Sequence, residues 1–248
     1  MKPPPYFEAI RSESERRWQQ LEADPDLAGP WRMLFDQVKD PRHLLSELFQ
    51  NADDAGATRI EVRLTHKELE VRHDGRDFSE SDLRTLCRFA SSNKRTLATI
   101  GFRGIGFKSV FAAGPTVRLT TPTLSLRFDE TRFTQPIWED GPGTDNEIVV
   151  RVTWRSDDAR AAVAESLVRW KSSPAGLLFF RSVDELQFDG LCIRRTRIAE
   201  GPVPDSADFG LEREADGKRR QEQFVTIFRS REIGLPDDCR REIEEARR

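Results

Sequence analysis

The chain has 248 residues, of which 37% are hydrophobic and 33% charged, with a formal net charge of -3. That length supports one sizeable core, or a core plus a smaller appendage, and the apolar content excludes a disordered chain. The near balance of charge gives no global basic field to draw nucleic acid. Cys87, Cys192 and Cys239 are odd in number and widely spaced, without a CxxC pair. A disulfide framework and a zinc site are therefore not expected, and a cytoplasmic location is. The start, MKPPPYFEAI, lacks the apolar run of a signal peptide, and no segment is apolar enough to span a bilayer, so no membrane association is expected.

In chain order, Tyr6 to Ala23 reads as a charged helix with a thin apolar stripe (Phe7, Ile10, Trp18, Leu21), a strap for the domain edge. A short second helix carries Trp31, Leu34, Phe35 and Val38 at core spacing. Asp40-Pro41 then supplies an N-cap and a first-turn proline for the stretch LLSELFQNADDAGAT, with Gly56 as its stop. Leu45, Leu48, Phe49 and Ala52 form one face of this helix, while Glu47, Asn51 and Asp54 gather on the other. No Lys or Arg lies between Leu44 and Thr58, so these acidic groups have no local partners. Oxygen donors of this kind suit a hard divalent cation, with one carboxylate spare to act on a water. A solvated polar face is the alternative.

The period then changes to two. Ile60, Val62 and Leu64, followed by Leu69 and Val71, alternate with charged residues and predict a β-hairpin with one wet face. Its second strand runs into the turn His73-Asp74-Gly75-Arg76-Asp77-Phe78, and Ser79 caps a helix with Asp82 three residues on. A polar loop, residues 91–95, precedes TIGFRGIGFKSVFAAG, in which Gly101, Gly104 and Gly106 lead into an apolar helix containing Val110 and Phe111. Strands are expected over 117–120, 124–128, 148–154, near 186–193 and over 224–228, with a helix over 159–170 and an apolar stretch at 177–180. Residues 200–223 read as a loose loop, and the last ten residues as a helix that stops in mid-pattern, as if the chain were a piece of something longer.

Glycines before a helix let the backbone approach a phosphate. A Walker A loop would need Lys directly after its second glycine, whereas Gly106 is followed by Phe107; the dinucleotide fingerprint is GxGxxG after a strand, whereas this is GxxGxG after a loop. Neither fits, and a simple glycine hinge remains an alternative.

Taken together, the helix with Glu47 and Asn51, the Asp-Gly turn, the polar loop and the GxxGxG segment resemble, in that order, the GHKL ATPases (gyrase, heat-shock chaperone, histidine kinase, MutL), and their wording is most similar to the sacsin-type branch. The likeness is specific from about Leu44 to Phe111. It implies an α/β two-layer sandwich, with helices on one face of a mixed, mostly antiparallel sheet. It assigns Glu47 to activating the attacking water and Asn51 to holding Mg2+. Asp54 and Ala55 would border adenine and sugar, and Lys94 would lie in a mobile lid. Gly101, Gly104 and Gly106 would wrap the phosphates, with Ile105, Phe107 and Lys108 beside them; Lys108 points either to a phosphate or to solvent. Gly143-Thr144 weakly resembles a further family element. The family's DxGxG turn is altered: aligned on Gly75, His73 takes the place of the base-reading Asp, and Asp77 that of the second glycine. Whether His73 or Asp74 reads the base stays open, since a neutral imidazole accepts one hydrogen bond.

The resemblance thus implies a Mg-dependent, slowly hydrolysing ATP site working as a switch within a larger protein, its partners being ATP/ADP, further domains and, on ATP binding, a second copy. A scaffold module that keeps the fold without turnover is the alternative. No histidine is placed to accept a phosphoryl group on a dimerisation helix, and acidic residues interleave the basic clusters, which disfavours nucleic-acid binding. The expected divisions are 1–40 as an N-terminal strap, 41–155 as the ATP-binding core, and 156–248 as its C-terminal part or the start of a following region.

Overall fold

A computed structural model of the chain describes residues 1–24, 40–88 and 106–228. The expected helix around Trp31 to Val38, the loop at 91–95 and the last ten residues lie outside these. The hairpin is β1 (Arg59–Leu64) and β2 (Glu68–His73), paired antiparallel with His73 opposite Ile60. Ile60, Val62, Leu69, Val71 and His73 are buried on one face, as the alternation predicts. The strands β3 (Thr116–Thr120), β4 (Ser125–Asp129), β5 (Ile137–Trp138) and β6 (Ile148–Thr153) extend the sheet on the β2 side. On the β1 side follow β7 (Glu185–Phe188), β8 (Leu191–Glu200), β9 (Ser206–Ala215) and β10 (Lys218–Phe228). The order is β10-β9-β8-β7-β1-β2-β6-β3-β4-β5, with every pairing antiparallel except β1 with β7.

The described helices cover one face of this sheet. They are α1 (Phe7–Ala23), α2 (Leu44–Asp54), α3 (Glu80–Leu86), α4 (Val110–Ala113) and α5 (Asp157–Ser172). Leu44, Leu45, Leu48, Phe49 and Ala52 of α2 join the inward strand residues in one core. Removing each such large side chain from water contributes about 1.5–3 kcal/mol, so α2 is anchored by its apolar stripe. α1 docks at the β5 end, where Phe7 meets Trp138 edge-on at 5.3 Å and Ser14 donates to the Thr134 carbonyl at 2.8 Å. The other sheet face carries ion pairs, within a strand as between Glu70 and Arg72 of β2 (2.7 Å), and across neighbouring strands as between Glu70 and Arg151 of β6 (2.6 Å).

One expectation is overturned. Residues 200–223 are no loose loop: most of them form β9 and the start of β10, a long hairpin closed by Asp216 and Gly217. Both turn residues have positive φ (52° and 71°), the conformation of a two-residue type I′ turn, whose Asp-Gly signal is in the sequence. The dense charge masked an alternation in which Leu211 is the buried hydrophobic side chain among the described residues. The apolar stretch at 177–180 is the end of a 3-10 turn, Pro174–Phe179, and its C-cap Phe180.

Candidate nucleotide site

α2 is entered through the 3-10 turn Pro41–His43, which Asp40 caps, and is left through a glycine. Asp40 accepts from the Arg42 N–H at 2.9 Å and pairs with its guanidinium, which holds the Asp40 carboxyl down at about 2. Gly56 leaves the helix with φ +74°, as a C-terminal glycine should. Between them Glu47 and Asn51 stand one turn apart, both half-buried. The Glu47 carboxylate has no hydrogen-bond or ion-pair partner among the described residues, although most of the described carboxylates are paired with arginine. The Asn51 side-chain nitrogen is buried and likewise unpartnered. Burying such a group without a partner costs about 1–3 kcal/mol. Asp54 is half-buried on the last turn of the helix.

The glycine segment enters the described structure at Gly106, and the 3-10 turn Gly106–Ser109 packs directly against α2 before α4 begins. Phe107 lies edge-on to Phe128 with ring centres 6.1 Å apart. Lys108 does not reach solvent: it is buried, and its ammonium donates to the Arg88 carbonyl beyond the end of α3. Burial pushes its pKa down to about 8, and the neighbouring Cys87 thiol, also buried, is pushed up to about 12. Lys94, Gly101, Gly104 and Ile105 lie outside the described residues.

The altered turn is joined to the end of α2. The Arg76 N–H donates to the Ala55 carbonyl at 3.0 Å, and a Cβ on Gly75 would stand 2.9 Å from the Ala55 Cβ and 2.9 Å from His73 Nδ1. Only glycine allows this approach. His73 is buried, which lowers its pKa to about 4, so the imidazole is neutral at pH 7. Its Nδ1 accepts the Gly75 N–H at 3.2 Å, which leaves the ring proton on Nε2. The position aligned with the family's Asp therefore presents a donor where a carboxylate would present an acceptor. Asp74 is committed elsewhere: it accepts from the Thr58 N–H (2.8 Å), the Arg59 N–H (2.9 Å) and the Thr58 hydroxyl (2.5 Å). Despite desolvation, which opposes it, these bonds lower its pKa. Asp77, standing where a glycine was expected, accepts from the Thr123 hydroxyl at 2.6 Å and ties the turn to the β3–β4 connection. Gly143-Thr144 packs on that same connection, with the Thr144 N–H donating to the Thr121 carbonyl at 3.2 Å.

So the Gly106–Ser109 turn packs on α2, which carries Glu47 and Asn51, and the 73–77 turn, with His73 and Gly75, is joined to its end at Ala55. Sequence reasoning gave no role to Asp53, a buried carboxylate on α2, nor to Thr58, which joins β1 to Asp74. The missing signal for both is tertiary, since their partners lie many residues away.

A two-layer sandwich with an Asn- and Glu-bearing helix packed on a glycine turn is the arrangement that the GHKL resemblance implies. Residues 36–152 match the family described as histidine kinase-, DNA gyrase B-, and HSP90-like ATPase, and this part of the chain is a GHKL ATPase domain. Among curated relatives, the DNA mismatch repair protein MutL of Exiguobacterium sp. is 36% identical over 83 residues, covering 29% of this chain and 14% of that protein. MutL of Chlorobium phaeobacteroides is 38% identical over 96 residues (35% and 15%), and MutL of Neisseria meningitidis serogroup B is 35% identical over 114 residues (42% and 17%). The chain thus spans well under a fifth of the length of these relatives. They are MutL proteins, and they lend no support to the sacsin-type branch. Among the described residues no helix is long and apolar enough to cross a membrane.

Proposed function

We propose that the domain binds ATP with Mg2+, hydrolyses it slowly to ADP and phosphate, and serves as a conformational switch in a larger cytoplasmic protein. The observation that carries this is the pair on α2: a carboxylate and a buried amide nitrogen, both without a partner among the described residues, one turn apart beside the Gly106 turn. An amide oxygen is a hard donor suited to Mg2+, which takes few protein ligands and completes its shell with phosphate oxygens and water. Consistently, no three His, Cys, Asp or Glu side chains cluster as a metal cage among the described residues. Asn51 would hold the ion, which neutralises phosphate charge when bound. Glu47 would orient and deprotonate a water, and Gly106 would let the backbone approach the phosphates, with Gly101, Gly104, Ile105, Phe107 and Lys94 completing that side. Ala55, Asp54 and Gly75 would border the base and sugar, with His73 reading the base through its Nε2 proton. Lys108 would act by supporting the turn through Arg88. ATP-dependent pairing with a second copy and contact with further domains would carry the output. The wording of the 44–111 motifs is what still favours a sacsin-type member.

The test is a hydrolysis and binding comparison. Glu47→Ala should bind ATP and release no phosphate, whereas Asn51→Ala should lose the magnesium-dependent part of binding. Parent-like hydrolysis by both variants would refute the assignment. The donor at His73 and the engagement of Asp74 favour a second reading, a non-hydrolytic scaffold; absence of binding at millimolar ATP would decide for it.

A further inference from the structure

Asp53 is a buried carboxylate that none of the roles above employs. It lies on the last turn of α2, two residues beyond Asn51, so the helix turns it roughly 200° away, to the opposite side. Its Oδ1 accepts the N–H groups of Arg181 (3.0 Å), Ser182 (2.7 Å) and Val183 (3.0 Å), and Oδ2 accepts that of Arg181 again at 3.0 Å. The next two amides, of Asp184 and Glu185, donate to the Thr58 carbonyl at 2.9 and 3.1 Å. From the other side, buried Arg195 of β8 donates to the carbonyls of Leu177 (2.8 Å) and Phe180 (2.7 Å) and pairs with Asp184 at 2.7 Å. The segment is therefore held by its amides from α2 and β1 and by its carbonyls from β8, just where β7 begins its parallel pairing with β1.

The final turn of a helix is the part most prone to fray, because its carbonyls lack partners within the helix. Here that turn carries Asn51. The apolar stripe of α2 holds the helix on the sheet, but the turn itself is pinned by the four bonds of Asp53 and by the Arg76–Ala55 contact.

We propose that Asp53 is a positioning residue for the nucleotide site: by fastening the last turn of α2 to the 181–183 amides, it sets where the Asn51 amide stands and so how firmly metal-bound nucleotide is held. This rests on the reading of Asn51 given above. Three of the four bonds end on Oδ1, so Asp53→Asn retains them with its own Oδ1, while Asp53→Ala loses all four. Amide hydrogen exchange at 181–183 without nucleotide, and ATP titrations with magnesium and with EDTA, would be run on parent and variants. In Asp53→Ala the three amides should exchange about tenfold faster or more, and the magnesium-dependent gain in ATP affinity should fall by about tenfold, the scale of losing a residue that orients a metal ligand. Affinity in EDTA should stay near parental, and Asp53→Asn should restore both readouts. A folded Asp53→Ala with fast-exchanging amides and an undiminished magnesium gain overturns the proposal. A parent without any magnesium gain instead overturns the reading of Asn51, and does so separately, since the exchange data still report the Asp53 bonds. Should Asp53→Ala unfold, Asp53→Ser against Asp53→Asn makes the same comparison.

Discussion

Lowering the pH should weaken the fold through His73. The ring is held neutral by burial, with its pKa lowered from the ordinary 6.5 to about 4, while in the unfolded chain it recovers the ordinary value. Between those two values the unfolded state binds a proton that the folded state refuses. The stabilisation is thus fully present above 6.5 and is lost as pH falls toward 4, below which both states are protonated. One pKa unit is worth about 1.4 kcal/mol, so the whole effect is about 3 kcal/mol, with about 2 kcal/mol of it already lost near pH 5. Urea unfolding at about pH 7.5 and pH 5, on the parent and on His73→Asn, measures this. Asparagine places an oxygen near Nδ1, keeps the acceptor for the Gly75 N–H, and cannot titrate. The parent should lose about 2 kcal/mol more than the variant over that interval. Equal losses in the two proteins would refute the assignment of a buried neutral imidazole at the end of β2.

Gly75→Ala should cost about 1–3 kcal/mol, the usual penalty of forcing atoms into a closed space, because its Cβ meets Ala55 and His73 at 2.9 Å. The melting temperature would fall by about 2–4 °C for each kcal/mol, while Gly141→Ala, with nothing within 4 Å, should melt like the parent. Gly217→Ala should cost about 1–2 kcal/mol by placing a Cβ at φ +71°; an unchanged melting temperature would contradict the tight Asp216-Gly217 turn.

The sequence was most legible where local rules decide structure. The end of α2 followed from Gly56, the β1–β2 hairpin from strict alternation, and the start of α3 from Ser79, whose side chain accepts from the Asp82 N–H while Asp82 accepts from the Ser79 N–H; Asp40 and Pro41 instead open the 3-10 turn that leads into α2. It was least legible where long-range bonds decide. Lys108 read equally as phosphate ligand or solvated side chain, because nothing nearby announces the Arg88 carbonyl that receives it. Asp74 was a candidate base reader until Thr58 and Arg59 engaged its carboxylate from the start of the adjacent strand. Asp53 looked like one more acid in an acidic helix end, and its partners are 128 to 130 positions away. The β9–β10 hairpin was obscured by charge, because its strands sit at the margin of the sheet, where solvent-facing positions dominate the pattern.

The central claim is that Asn51 and Glu47 face a bound nucleotide and its metal. Calorimetric titration of ATP into the parent chain, once with magnesium and once with EDTA, tests it most directly. Tighter binding with magnesium, abolished by Asn51→Ala and untouched by Glu47→Ala, is the predicted result. Identical isotherms with and without the metal in all three proteins would contradict it.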